Sequence, residues 1–171
     1  MKHLLIAMVA LCINIHNLAQ SADTPATTSE HFSVTTSLGD NASYVAGDTI
    51  QFLITTETSG YLSLFLQDAN GNIQQLLPNT YQTSLFIEPG YFIAFPEVNA
   101  PYKLTASAPF GEEVLFAVLS ETQLLDLDKK ILTRKSKRKT FLMSDLESLI
   151  IDIDSSAVVS SVGYQVLEGA E

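Results

Sequence analysis

The chain is poor in the groups that make and break covalent bonds. Its 171 residues include one cysteine, three histidines and no tryptophan. Cys12, His3 and His16 all fall near the N-terminus, so His31 is the only member of this set beyond it. Nucleophilic catalysis needs an activated nucleophile with a base in reach, and a zinc site needs several histidine or cysteine ligands. Neither requirement is met, no glycine loop of the phosphate-cradling kind occurs, and no serine sits in a nucleophile-elbow pattern. The sequence therefore predicts no catalytic residue, no cofactor and no metal. The missing tryptophan argues mildly against a sugar-stacking cleft, although six tyrosines keep that reading open.

Positive charge is the next shortage. Lysine and arginine total nine against nineteen acidic residues, a formal net charge of −10. Seven of the nine form one stretch free of acids, namely Lys129, Lys130, Arg134, Lys135, Lys137, Arg138 and Lys139; the others are Lys2 and Lys103. The remainder is strongly acidic, which favours solubility and opposes nucleic acid. The basic stretch has three readings. It is a solvated loop balancing the acidic body, a contact for anionic lipid headgroups at about 1 kcal/mol per basic residue, or a dock for an acidic protein partner that raises encounter rate more than affinity. It is the candidate interaction site of the sequence.

Long apolar runs are missing too. The stretch from Leu4 to about Ile15 falls short of the roughly 20 residues a bilayer span requires, and Asn14, His16, Asn17 and Gln20 interrupt it. With Lys2 ahead of it and Ala19, Ser21 and Ala22 behind, it fits a secretory signal peptide over residues 1–21 better than an N-terminal anchor helix. Cleavage is expected after Ala19 or Ser21. Leu11 stands where a lipoprotein signal wants a small residue, so Cys12 reads as part of the signal core. Once the signal is removed no thiol remains for a disulfide. Residues 22–30, rich in Thr, Ser, Ala and Pro, read as a flexible lead-in. Residues 31–169 read as one domain, large enough to bury about two-thirds of its unfolded surface.

What is present is a period of two. Phe32, Val34 and Thr36 alternate with His31, Ser33 and Thr35; Ile50, Phe52 and Ile54 alternate with Gln51, Leu53 and Thr55; Leu62, Leu64 and Leu66 share a face opposite Tyr61, Ser63 and Phe65. Such alternation predicts strands with at least one buried face. Further runs occur at 84–87, 91–95, 102–106, 114–119 and 160–167, punctuated by turn signals such as Gly47-Asp48, Pro78-Asn79 and Pro89-Gly90. Asn70-Gly71 is the strongest of these and predicts a type I′ hairpin. Ser144 and Glu147 have capping-box spacing, and Leu146, Leu149 and Ile150 supply a helical apolar face, so a helix is expected over 144–151. A second short helix is expected to begin near Glu121. The fold class is all-β: an immunoglobulin-like β-sandwich of about nine strands with one or two short helices near the C-terminus.

An ordered set of motifs runs from about Tyr44 to Ser120. It comprises Val45-Ala46-Gly47-Asp48-Thr49-Ile50-Gln51-Phe52, Ser59-Gly60-Tyr61-Leu62-Ser63-Leu64-Phe65, Asp68-Ala69-Asn70-Gly71, Leu76-Leu77-Pro78-Asn79, Ile87-Glu88-Pro89-Gly90, Ile93-Ala94-Phe95-Pro96 and Ala108-Pro109-Phe110-Gly111-Glu112-Glu113. In order and spacing this stretch resembles the bacterial domain of unknown function 4384. The resemblance implies a β-sandwich module of exported or envelope proteins, often accompanied by caspase-like peptidase or kinase domains. It implies no catalytic residue, and it does not reach the basic stretch or the expected helix.

Paired acids are the remaining chemical candidates. Asp126 with Asp128, Asp152 with Asp154, and Glu112 with Glu113 could serve glycoside hydrolysis or hold calcium if they converged. The plainer reading is solvated acids flanking turns. Asp68-Ala69-Asn70-Gly71-Asn72 lacks the glycine spacing and closing acid of a calcium loop. Tyr91, Phe92, Phe95 and Phe110 read as core packing, or as a recognition patch where exposed. Together these readings point to a non-enzymatic binding or scaffolding module of the periplasm or outer envelope, part of a secretion or surface assembly. The expected partner is an envelope protein, with anionic lipid or glycan as further ligands and nucleic acid disfavoured. A peptidoglycan- or carbohydrate-binding module and an acid-pair hydrolase are the alternatives.

Overall fold

A computed structural model of the chain describes residues 31–124, Leu127 and residues 143–169. The expected signal peptide and lead-in, the basic stretch and the Asp126/Asp128 pair lie outside the described residues. Within them the alternating runs become β1 (Phe32–Thr36), β2 (Ser43–Val45), β3 (Thr49–Ile50), β4 (Phe52–Thr56), β5 (Gly60–Gln67), β6 (Ile73–Leu77), β7 (Phe86–Ile87), β8 (Phe92–Phe95), β9 (Leu104–Thr105), β10 (Gly111–Ser120) and β11 (Val158–Leu167), with one helix, α1 (Met143–Ile153), before the last strand. Eleven strands stand where the pattern suggested about nine. Gln51 divides the run at 50–54 between two sheets, β3 pairing with β9 and β4 with β1. The three-residue β2 is too short to show a period.

The larger sheet has the order β2-β11-β10-β5-β6, with β7 also on β5; the smaller has the order β1-β4-β8. Strands β5, β10 and β11 thus lie opposite β1, β4 and β8, as C, F and G lie opposite A, B and E in an immunoglobulin-like sandwich. All pairings are antiparallel except β11 with β2, where Gln165, Val166 and Leu167 pair with Ser43, Tyr44 and Val45. At one side the sheets are tied directly, Val34 N–H donating to Ser160 Oγ at 3.2 Å.

Alternation sends successive side chains of the central strands into two different cores. Leu62 and Leu64 of β5, Leu115, Ala117 and Leu119 of β10, and Val162, Tyr164 and Val166 of β11 join Phe32, Phe52, Ile54 and Phe95 between the sheets. Phe65, Phe116 and Val118, from the opposite face of the same strands, pack with Leu124, Leu127 and the α1 residues Leu146, Leu149 and Ile150. The architecture is a sandwich with a helical layer on its outer face. Gly60, which opens β5, is required by close approach: a Cβ there would lie 2.9 Å from Leu119 Cγ and 2.9 Å from the Ser120 carbonyl oxygen.

Several expectations need correction. The helix already includes Met143, so Ser144 lies inside the first turn and not at its cap. Residues Glu121–Leu124 are not helical, whereas Leu127 is, and the residues on either side of it lie outside the described ones, so the expected second helix does not begin at Glu121; Leu124 and Leu127 are both buried. The β5–β6 hairpin is in the predicted place with a different turn. Gly71 is at φ 79°, Asn70 is not at positive φ, Gly71 N–H donates to Asp68 O, and Asp68 N–H donates to Asn72 O. That is a tight turn closed by a left-handed glycine, in place of type I′. Among the aromatics assigned to the core only Phe95 is there; Tyr91 and Phe92 are 77% and 71% exposed, and Phe110 is partly exposed. Phe92 sits on the solvent face of edge strand β8, opposite Thr55 of β4.

Candidate functional site

A concavity of about 910 Å³ opens on the outer face of the larger sheet beside α1. Its floor follows from register. Glu112, Val114 and Phe116 lie on one face of β10, and the cross-strand partners of the latter two are Gly163 and Ser161 of β11. Val158 and Val159 extend the apolar floor. One wall is α1. Its Leu146, Leu149 and Ile150 bury against the sheet, and the neighbouring stripe of Ser144, Glu147 and Ile151, three and four residues apart, borders the opening. The far end is closed by Phe110 and the β5–β6 turn.

That turn is stiffened by Asp68. Its Oδ1 accepts Asn70 N–H at 2.9 Å and Asn72 N–H at 2.8 Å, and its Oδ2 accepts Asn72 Nδ2–H at 2.9 Å. A carboxylate used this way fixes the backbone and still presents negative charge to the cleft. Asp68, Glu112 and Glu147 all line the opening, with no lysine or arginine among the described lining residues. Ile151, Val158 and Phe110 remain substantially exposed. An apolar floor with an acidic rim suits a ligand that carries both apolar and cationic groups.

The two acid pairs within the described residues do not come together. Glu112 and Glu113 are successive residues of β10 and face opposite sides of the sheet. Glu112 looks into the cleft, whereas Glu113 is buried, accepts the Tyr164 hydroxyl at 2.6 Å and faces the sandwich core. Burial raises the Glu113 carboxyl above its ordinary value, with the Tyr164 hydrogen bond opposing and the Asp68 charge adding to the rise. Burial and the Glu113 contact raise the Tyr164 phenol in turn. Tyr44, ring to ring with Tyr164 at 5.6 Å, is buried with its hydroxyl unpartnered.

Asp152 ends up inside α1 and Asp154 just beyond it, so the extended backbone that would align them is absent. Asp154 Oδ1 accepts Ser156 Oγ–H and N–H; its Oδ2 accepts from Thr122 N–H and Oγ1–H. It ties the helix end to the segment after β10, and the Ser156 hydroxyl, ahead of these backbone donors, lowers its carboxyl. His31 is exposed and contacts Glu57 at 2.5 Å. Among the described residues no group of three His, Cys, Asp or Glu could hold a metal ion. The seven basic candidates, Lys129 to Lys139, lie outside the described residues. Sequence reasoning missed the cleft because its lining comes from four separate chain segments whose residues are individually ordinary.

Residues 43–123 match the family described as Domain of unknown function (DUF4384). No curated protein and no solved structure matches the chain. The match ends before α1 and β11, so both the helical wall of the cleft and one strand of its floor come from outside the matched residues.

Proposed function

Taking residues 43–123 as a DUF4384 domain, we propose that this protein is a non-enzymatic, exported binding module of the bacterial cell envelope. Its ligand is a basic segment, bearing apolar side chains, of an envelope protein partner. The observation that carries this reading is the cleft beside α1, with Phe116, Val114 and Ile151 inside and Asp68, Glu112 and Glu147 around it. Supporting it, Lys103 is the only lysine or arginine among the described residues, so the sandwich presents a strongly negative field to a cationic partner. The acidic side chains near the cleft are spent on structure or placed apart. The signal-like N-terminus supports export.

The test is site-specific photocrosslinking in intact envelopes from Ile151 and from Phe110. We expect a discrete, salt-sensitive adduct that is lost in the Glu112→Lys/Glu147→Lys double variant. An adduct pattern indifferent to salt and to that charge reversal would remove the cleft as the docking surface. Charge reversal within Lys129–Lys139 separates the other route: loss of the adduct there, with the cleft variant intact, would assign docking to the basic stretch.

A further inference from the structure

The loop after β6 is organised by a single side chain. Asn79 Oδ1 accepts the backbone N–H groups of Tyr81 and Gln82, each at 2.8 Å. Its Nδ2 donates to Leu76 O at 2.8 Å and to the Tyr102 hydroxyl at 3.2 Å. Its own N–H donates to Gln82 O at 2.9 Å. The loop is thereby held so that the Tyr81 ring lies stacked on Tyr102, centroids 5.5 Å apart and planes 28° from parallel. Tyr102 is backed in turn by the buried ring of Phe95 at 6.2 Å. Tyr81 nevertheless remains 69% exposed. An aromatic face fixed in place while still wet loses little freedom when a ligand covers it.

Beside this ring is a concavity of 240 Å³ lined by Tyr81, Tyr102, Gln82, Glu97 and Asn99. The side chains of Gln82, Glu97 and Asn99 make no hydrogen bond or ion pair. Two amides and a carboxylate therefore stand uncommitted around a pre-set aromatic face. A sugar ring has complementary chemistry: an apolar C–H face that covers an aromatic ring, and edge hydroxyl or acetamido groups that donate and accept. An acidic ligand is opposed by Glu97. A purely apolar one would bury three polar side chains without partners, which is unfavourable.

We infer that Tyr81, Tyr102, Gln82, Glu97 and Asn99 form a subsite for one ring of a neutral glycan. Tyr81 is the stacking platform, and the amides and carboxylate read the ring substituents. The subsite lies in the β6–β7 and β8–β9 loops, shares no residue with the cleft beside α1, and stands or falls independently of it.

The test is titration of the isotope-labelled full chain with two neutral probes, chitotetraose and cellotetraose, followed by amide chemical shifts. At least one probe is expected to shift Tyr81, Gln82 and Asn99 saturably. Tyr81→Ala should weaken binding by about tenfold or more, Tyr81→Phe should retain it, and Tyr91→Ala, equally exposed but elsewhere, should leave it unchanged. Absence of saturable shifts at these residues with both probes overturns the subsite, as does equal weakening by Tyr91→Ala.

Discussion

The two faces of the larger sheet are covered by different material, and the contrast separates what the family pattern specifies from what this chain adds. Toward the smaller sheet, the core is built by nearly every strand and contains Phe32, Phe52, Phe95, Tyr44 and Tyr164. Toward solvent, a smaller cluster is roofed by one helix and two leucines, Leu124 and Leu127. Most of the first core comes from the family-matched residues, whereas the helix of the second lies wholly outside them. The sandwich face is continuous and closed. Among the described residues the helical face is incomplete, and its unfilled portion is the cleft. The lesson is that the chain acquires a concave surface by half-covering a sheet that the sandwich alone would leave bare.

Core truncations should break this contrast most visibly. Phe52→Ala, at a fully buried position between the sheets, is expected to cost about 3–5 kcal/mol in urea unfolding and to destabilise the entire fold. Leu149→Ala, under the helix, should cost about 2–3 kcal/mol and raise hydrogen exchange in α1 well before β5 or β10. Equal exchange in both regions would make the two layers one cooperative unit. Tyr164→Phe leaves the buried Glu113 without its donor and should cost about 1–2 kcal/mol by the same measurement.

The smallest effect sharpens the comparison electrostatically, because one carboxylate on each side titrates with opposite sign. Glu113, raised by burial above its ordinary 4.5, gives stability that is fully present below that value and is lost as pH rises through the raised one. Asp154, lowered by its hydroxyl and backbone donors below 3.8, gives stability that is present above that value and is lost as pH falls. Unfolding free energies measured from acid to neutral pH should therefore diverge. Glu113→Gln removes a decline on the alkaline side of 4.5, and Asp154→Asn removes a decline on the acid side of 3.8. Parallel curves for the two variants would contradict the assignment.

Much of the sandwich was legible in the sequence because period-two runs such as 32–36 and 160–167 report directly on a half-buried pleat. The helix was legible from Leu146, Leu149 and Ile150, within two residues at its end. What could not be read was which face of β5 and β10 meets which partner, since Leu64 and Phe65, or Leu115 and Phe116, are apolar on both sides. Tyr91 and Phe92 were misread for a related reason: exposure is set by the edge position of β8, not by residue type. The Tyr81 platform was invisible because its ordering depends on Asn79, a residue that reads only as a turn former. The cleft depends on register, and the pairing of Phe116 with Ser161 across its floor carries no local signal.

The parallel pair of β2 with β11 bears on the order in which the molecule can assemble. Ser43 finds its neighbour at Gln165, and β11 is the only strand that bridges β2 to β10. During synthesis, the early strand waits with an unsatisfied edge until β11 has emerged. Closing so long a segment is entropically slow, and an unpaired edge invites association with other chains in the interval. A polypeptide with that dependence cannot complete its larger sheet until β11 is in place.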